Sequence, residues 1–327
     1  MLEYLEDFQT WGRQPWKDII RFKNRIRGRG LPSNGLNTGA KSNRCRNSWN
    51  MNHHVNLGAR VAIPVDPRYI FLMKFLKSIY LAVALITLLP FTQLLGHGQA
   101  PILIVVTNHG ELGETGESTG YFLAEVAHPW HVFTEAGYAV EFASPKGGFA
   151  PMDPKSFNLE DPQNKALWNN LETVEALVHT QALGNLDLSK YAAIFFAGGH
   201  GTMWDFPDSP VVQNAIVTFI ESDRPVAAVC HGPAALVNVT LSDEKPLLEG
   251  RIVNGFTDEE EALVDLTEVV PFLLESRMKE SGATFTESAP FQKHVAVDGF
   301  LITGQNPASA TATAEAVVKA IESSHHP

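Results

Sequence analysis

Short apolar runs alternate with longer amphipathic stretches from Pro101 onward, and this alternation restricts the fold more than any other feature of the chain. It predicts a parallel sheet covered by helices on both faces, a three-layer α/β sandwich. In such sheets the active site lies beyond the carboxyl ends of the strands. The segment 145–190, rich in Pro, Asn and Asp, is predicted to cover one sheet edge or the mouth of the site. Strands are predicted at 102–107, 139–144, 192–197 and 225–229, and helices at 121–136, at 211–222 and from Gly232.

Residues 73–100 have the composition of a secretory signal peptide. A basic start precedes an apolar run of about 13 residues, and the small residues Gly98 and Ala100 occupy the positions that a signal peptidase prefers. The alternative is an uncleaved membrane anchor at 79–95. That run is short for a spanning helix of about 20 residues and contains Pro90. We therefore expect an exported protein, periplasmic or secreted, which contacts a membrane only if the segment is retained.

The charge is unevenly distributed along the chain. Residues 1–72 contain 12 Lys and Arg against five Asp and Glu, whereas the formal net charge of the whole chain is −11. This first segment lacks a sustained apolar period, so it is interpreted as disordered, as an upstream mis-assignment of the start, or as a basic tail on an anchored protein. Residues 101–327, the predicted catalytic domain, carry a net charge of −20. Such an acidic domain argues against nucleic acid as a partner.

Cys230 is the candidate nucleophile. The only other cysteine, Cys45, lies on the far side of the predicted signal segment, so no structural disulfide is expected. A lone cysteine is by default a small buried hydrophobe. However, small residues at 228 and 232 flank Cys230 where a predicted strand meets a predicted helix, which is the spacing of a nucleophile elbow. A helix N-terminus behind the sulfur is expected to lower the thiol pKa.

A second turn, Gly198-Gly199-His200-Gly201, follows a different predicted strand. Backbone amides at such a turn are suited to binding an oxyanion. On spacing alone a plain glycine turn is the simpler interpretation, and no lysine follows to make a phosphate-binding loop.

Four motifs in the same order resemble the ThiJ/PfpI superfamily, and within it the heat-shock chaperone and glutathione-independent glyoxalase (glyoxalase III) branch. The resemblance covers 101–327, does not reach residues 1–100, and implies a flavodoxin-like fold. The motifs are Glu125-Val-Ala-His-Pro129, Ala197-Gly-Gly-His-Gly-Thr-Met-Trp-Asp-Phe-Pro207, Cys230-His-Gly-Pro-Ala234 and Asn306-Pro-Ala-Ser-Ala310.

The resemblance assigns roles to residues of these motifs. It implies that Cys230 is the nucleophile, that His231 is the adjacent base, and that Glu125 is a carboxylic acid that hydrogen-bonds the thiol. It also implies that the amides of Gly199 and His231 bind the oxyanion. The third member of the catalytic triad is expected in the segment 255–261.

Glu261 is our choice for that third member by register, with Glu260 and Asp258 as alternatives. Each of these acidic residues is also consistent with a solvated loop charge.

The resemblance further implies conversion of methylglyoxal or glyoxal to 2-hydroxy acids through a hemithioacetal on Cys230. The partner is then a small dicarbonyl substrate, and a homodimer is common among relatives. Protein deglycase, chaperone and stress-response roles are also associated with the family. No cofactor or metal is implied, because His128, His131 and His200 lie in motifs without a recognised ligand spacing.

Two other function classes remain open. A cysteine-dependent amide hydrolase or protease uses the same Cys-His-carboxylate set. A glutaminase is disfavoured, because glutaminases carry a His-x-Glu motif near the C-terminus where this chain has Gln305-Asn306. The non-enzymatic alternative is a holdase chaperone or a redox sensor.

Overall fold

The computed structural model describes residues 99–324 of the chain. Strands and helices alternate through the first half of this range, and several short 3₁₀ helices connect them. In chain order the elements are β1 Ile102–Val105, α1 Leu123–Glu135, β2 Val140–Ser144, α2 Pro162–Asn169, α3 Leu171–Val178, β3 Gln181–Ala182, β4 Ala193–Phe196, α4 Thr202–Asp205, α5 Pro210–Ile220, β5 Val226–Val229, β6 Ile252–Val253, α6 Asp258–Leu263, α7 Leu274–Glu280, β7 Thr284–Phe285, β8 Val295–Asp298, β9 Leu301–Gly304 and α8 Ala310–Ser324.

Seven of these strands form one sheet in the order β3-β2-β1-β4-β5-β9-β8. Every pairing in it is parallel except that of β8 with β9, which is antiparallel. Strands β6 and β7 form a separate parallel pair. The prediction of an α/β fold with a mostly parallel sheet is therefore confirmed.

Neighbouring residues of β4 show that both faces of the sheet are covered. Phe195 packs edge-on against Phe133 of α1, with ring centroids 5.8 Å apart. Phe196 points to the opposite face and packs against Phe206, which follows α4, at 5.7 Å. All four side chains are fully buried. Each contributes roughly 1.5–3 kcal/mol to folding through burial of apolar surface, which is why the central strands have continuous apolar sequences.

Two predictions about local structure need correction or completion. The helix expected from Gly232 is a 3₁₀ helix of five residues, Gly232–Leu236, and not an α-helix. The segment 145–190 fulfils both alternatives that the sequence left open. It adds β3 to the edge of the sheet beside β2, and its residues Asp153 and Lys155 line the cavity of the site.

The predicted N-terminal segments 1–72 and 73–100 lie outside the described residues, apart from residues 99 and 100, and Cys45 lies outside them as well. Export and signal cleavage therefore stay predictions. None of the helices between residues 99 and 324 is both long enough and apolar enough to cross a membrane.

Candidate active site

Cys230 lies at a strained turn directly after β5. Its φ of +59° is in the left-handed region, which costs a non-glycine residue on the order of 1–3 kcal/mol. Two backbone hydrogen bonds hold it there: its N–H donates to Gly304 and its carbonyl accepts from Phe256, each at 2.8 Å. A β-carbon at Gly232 would lie 2.4 Å from the Phe196 carbonyl oxygen, so this position requires glycine. The turn has the geometry predicted for a nucleophile elbow.

His231 links Cys230 to Glu261. The Cys230 sulfur lies 3.3 Å from His231 Nδ1, and His231 Nε2 lies 2.8 Å from Glu261 Oε2. An ionised carboxylate only accepts hydrogen bonds, so Nε2 carries the proton and Nδ1 is free to take one from the thiol. All three side chains are buried. Hydrogen bonds thus connect, in series, the three residues that were predicted to be the nucleophile, the base and the third member of the catalytic triad.

The pKa values of this histidine and carboxylate reflect their surroundings. Burial lowers the pKa of His231, the neighbouring His200 lowers it further, and Glu261 opposes both. Burial alone would raise the pKa of Glu261, but the two histidines outweigh it and bring the pKa down to about 2. Glu261 is therefore ionised at neutral pH and fixes the tautomer of His231.

The two alternatives to Glu261 make structural contacts instead. Glu260 forms a capping box with Thr257, in which each side chain accepts from the other's backbone N–H. Its Oε1 also accepts from the backbone of Phe291 and from the Asn306 amide. Asp258 accepts hydrogen bonds from Ser276.

Glu125 approaches the site from α1. It is fully buried, and its Oε2 accepts a hydrogen bond from the Gly198 N–H at 2.8 Å. Burial raises its pKa to about 8, against smaller opposing contributions from Cys230 and Gly198. Its Oε1 has no hydrogen-bond partner within residues 99–324. Glu125 is therefore mostly protonated at neutral pH, and Oε1 is the oxygen free to carry and donate the proton.

The predicted low pKa of Cys230 is wrong. Burial raises the thiol pKa well above its usual range, the charge and hydrogen bond of Glu125 raise it further, and the His231 backbone N–H lowers it only in part. The short 3₁₀ helix behind the sulfur does not overcome these effects. The resting sulfur is a thiol, so it must lose its proton to His231 as it attacks. A raised pKa also weighs against ready oxidation of this cysteine as a sensor.

The Gly199 turn approaches the nucleophile from β4. Gly199 has a φ of +101°, and a β-carbon there would lie 2.3 Å from the Gly120 carbonyl oxygen, so no other residue fits. Its N–H donates no hydrogen bond within the described part of the chain. The His231 N–H interacts with the Cys230 sulfur. These are the two amides that the family resemblance assigns to the oxyanion. The Gly199 N–H is available to a carbonyl oxygen bound at the sulfur, whereas the His231 N–H has to move from the sulfur to that oxygen as the bond to carbon forms.

A cavity of about 310 Å³ opens onto Cys230. It is large enough for a dicarbonyl of three carbons together with water. Its lining residues are Leu112, Phe122, Asp153, Lys155, Gly199, His200, Cys230, His231, Phe256, Val264, Leu266, Phe291 and Pro307.

His200 is a site residue that the sequence reasoning missed. Its Nε2 lies 3.0 Å from Glu261 Oε1, and its ring centroid is 4.1 Å from that of His231. The sequence offered one signal, since a histidine follows each of two strands, β4 and β5, that prove to be neighbours in the sheet.

His128, by contrast, contacts Asp161 before α2 and Thr311 of α8, and so connects three helices away from the nucleophile.

The side chains of His200, His231 and Glu261 have ligand atoms within 4.8 Å of one another, a donor set that divalent transition metals accept. Both Nε2 atoms already bond the two carboxylate oxygens. A metal there would have to displace both hydrogen bonds, so the set is better described as one carboxylate orienting two imidazoles.

Comparison with known proteins gives a consistent result. A family profile described as ThiJ/PfpI family-like matches residues 117–244. Glyoxalase 3 of Candida albicans is 34% identical over 68% of this chain and 98% of its own length. The glutathione-independent glyoxalase HSP31 of Saccharomyces cerevisiae is 30% identical, with the same coverage of both chains. The crystal structure of the 24 kDa rapid encystment protein of Francisella tularensis superposes with a TM-score of 0.66 at 34% identity, covering 68% of this chain and 99% of that one. The chain therefore belongs to the ThiJ/PfpI family, among the relatives of the glutathione-independent glyoxalases.

Proposed function

We propose that this protein is a glutathione-independent glyoxalase that converts methylglyoxal to lactate and glyoxal to glycolate. The observation that carries the proposal is a buried thiol, Cys230, hydrogen-bonded to a carboxylate-oriented histidine and facing the protonated acid Glu125. The names of the Candida albicans and Saccharomyces cerevisiae relatives support it. Other homologues with the same activity in their names include one from Schizosaccharomyces pombe.

The first step joins substrate to sulfur. The Cys230 thiol adds to the aldehyde carbon, C1, while His231 Nδ1 removes the thiol proton. Negative charge develops on the aldehyde oxygen, and the amides of Gly199 and His231 stabilise it. The imidazolium then returns its proton to that oxygen, which leaves a neutral hemithioacetal and a neutral His231.

The second step moves hydrogen between the two carbons. His231, again neutral, removes the C1 proton while protonated Glu125 donates to the C2 carbonyl oxygen, which gives an enediol. His231 then returns its proton to C2 while the Glu125 carboxylate takes the proton of the C1 hydroxyl, which gives the thioester of a 2-hydroxy acid on Cys230 and restores both groups. A carboxyl group with a pKa of about 8 suits this role, because it keeps its proton at neutral pH yet gives it up to a developing alkoxide. Hydrolysis of the thioester releases the 2-hydroxy acid.

A holdase activity is the second candidate. Leu263 is 58% exposed, and Val264 and Phe291, at the mouth of the cavity, are 38% and 45% exposed. Exposed apolar side chains of this kind are where an unfolded chain would bind. The holdase activity would not need the Cys230 thiol, so substitution of Cys230 distinguishes the two functions.

The test is formation of D-lactate from methylglyoxal without glutathione, by the purified chain beside Cys230→Ala. Cysteine-dependent production supports the glyoxalase. A folded wild-type chain that forms no lactate would contradict it. Suppression of aggregation of a model client that is equal in the two proteins would instead support the holdase.

A further inference from the structure

Glu261 orients two imidazoles, and the chemistry proposed above uses only one of them. His231 takes one carboxylate oxygen and His200 takes the other. The His200 side chain contributes no other hydrogen bond within residues 99–324. It lines the same cavity as Cys230. The carboxylate fixes the ring and its tautomer, and the ring packs against His231 and Phe256, which line the same cavity.

The tautomer of His200 follows from its partner. Glu261 is ionised and can only accept, so the proton of neutral His200 lies on Nε2. Its Nδ1 is then an unprotonated nitrogen, and no group in the described residues bonds it. This atom is free to act as a base towards a molecule in the cavity.

The two histidines differ in their access to water. The side chain of His231 is 1% exposed, and its Nδ1 is next to the sulfur. The side chain of His200 is 16% exposed. Hydrolysis of the thioester on Cys230 needs a water molecule from the cavity, and that water must lose a proton as it attacks. Both histidines line the cavity, and His200 is the more exposed of the two.

We propose that His200 is the general base that activates the water for hydrolysis of the Cys230 thioester, an inference that rests on the proposed glyoxalase function. Nδ1 of His200 removes one proton from water while the water oxygen forms a bond to C1. The tetrahedral intermediate then breaks its bond between C1 and sulfur. The electron pair of that bond leaves with Cys230, which regains a proton, and the 2-hydroxy acid departs as its carboxylate with one proton released to solvent.

The electrostatic interaction between His200 and His231 is consistent with these separate roles. A proton on His200 lowers the pKa of His231, so the two imidazoles disfavour being charged together. His231 accepts the proton of the thiol before the thioester forms, and His200 accepts a proton from water afterwards. The shared carboxylate stabilises whichever of them is protonated.

His200→Gln tests this role, because the glutamine amide preserves the donor to Glu261 and much of the volume but removes the free base. His128→Gln is the matched control, since His128 bonds Asp161 and Thr311 and lies outside the cavity lining. The full chain and both variants are given methylglyoxal, and lactate formation is followed at steady state. Quenched samples are treated with hydroxylamine, which converts a thioester on Cys230 to a hydroxamate but does not do so with a hemithioacetal.

We expect His200→Gln to lower kcat by roughly 10²- to 10⁴-fold, the usual contribution of a general base, and to accumulate the thioester. Hydroxylamine added after free methylglyoxal has been removed should release the acyl group from the variant as a hydroxamate, because it attacks the thioester without a base. The accumulated thioester also shows that the variant is folded and completes the earlier steps. His128→Gln should turn over within about twofold of the wild type.

Wild-type kcat in His200→Gln would overturn the inference, and so would lost activity without trapped thioester. In either case lactate formation by the wild-type chain keeps the glyoxalase proposal intact. If the wild-type chain itself gives neither lactate nor hydroxamate, the proposed function fails, and this inference with it.

Discussion

Glu125 and Cys230 interact in the interior, and burial raises the pKa of both. The carboxyl group is brought there by α1 and the thiol by the turn after β5, so the contact depends on the tertiary fold. At neutral pH both groups keep their protons. The site therefore rests as an uncharged acid beside an uncharged thiol, and the thiolate forms only when His231 accepts a proton.

Glu125→Gln should reduce turnover with the fold intact. The amide preserves the volume and the acceptor for the Gly198 N–H, but it cannot donate an acidic proton. We expect kcat to fall by roughly 10²-fold or more, the lower end of acid–base contributions. Lactate formation and the thermal midpoint of unfolding are measured together. Full activity in this variant would remove Glu125 from the mechanism.

The same carboxyl group should make the protein less stable as pH rises. Its pKa is about 8 in the folded protein, against an ordinary value of 4.5 for an exposed glutamate, so the unfolded state loses the proton first. The contribution to stability is fully present below pH 4.5 and is lost progressively between there and about pH 8. The full effect is on the order of 5 kcal/mol by linkage.

Urea denaturation of wild type and Glu125→Gln at several pH values between 4.5 and 8 checks this. As pH rises, the unfolding free energy of the wild type should fall steadily relative to that of Glu125→Gln. A difference that stays constant across this range would show that Glu125 is not protonated in the folded state.

Alkylation of Cys230 should be slow at neutral pH. Its raised pKa leaves little thiolate, and the thiolate is the form that reacts with iodoacetamide. The rate should continue to rise with pH beyond the usual range of a cysteine. Glu125→Gln should shift the profile to lower pH, because the charge and hydrogen bond of Glu125 both raise the thiol pKa. Modification is followed by mass spectrometry of the peptide that contains Cys230, which separates it from Cys45, and rapid reaction of Cys230 at pH 7 would contradict the assignment.

Apolar patterning was enough to locate the central strands within one or two residues. It could do so because β1, β4 and β5 are buried throughout and have no polar face. The choice of Glu261 over Glu260 rested on register within the segment 255–261 that the family resemblance indicated, and their different partners are visible only in three dimensions. The contact between His200 and Glu261 depends on β4 lying beside β5, which no local pattern encodes. The thiol pKa was mispredicted because the helix dipole is a local effect, whereas the burial and the Glu125 contact come from distant parts of the chain.

The neighbouring carboxylates Glu260 and Glu261 offer a matched pair that separates stability from catalysis. Glu261→Gln replaces the acceptor of two N–H groups with a side chain that also donates, so both imidazoles are released from their tautomers. By comparison with the loss of a triad carboxylate, kcat should fall by roughly 10⁴-fold. The loss should be accompanied by a changed pH–rate profile, because the protonation of His231 is no longer set by this carboxylate.

Glu260→Gln should behave in the opposite way. Its charge-assisted bonds to Phe291 and Asn306 and its capping box with Thr257 connect α6 to two loops. Weakening them should cost about 1–3 kcal/mol of stability, with a much smaller fall in kcat. Denaturation and steady-state rates are measured for both variants at one temperature where each is folded. If Glu260→Gln lost activity as severely as Glu261→Gln, the catalytic role would not belong to Glu261 alone. The hydrogen bond between Glu261 Oε1 and His200 would then not account for the loss of activity in Glu261→Gln.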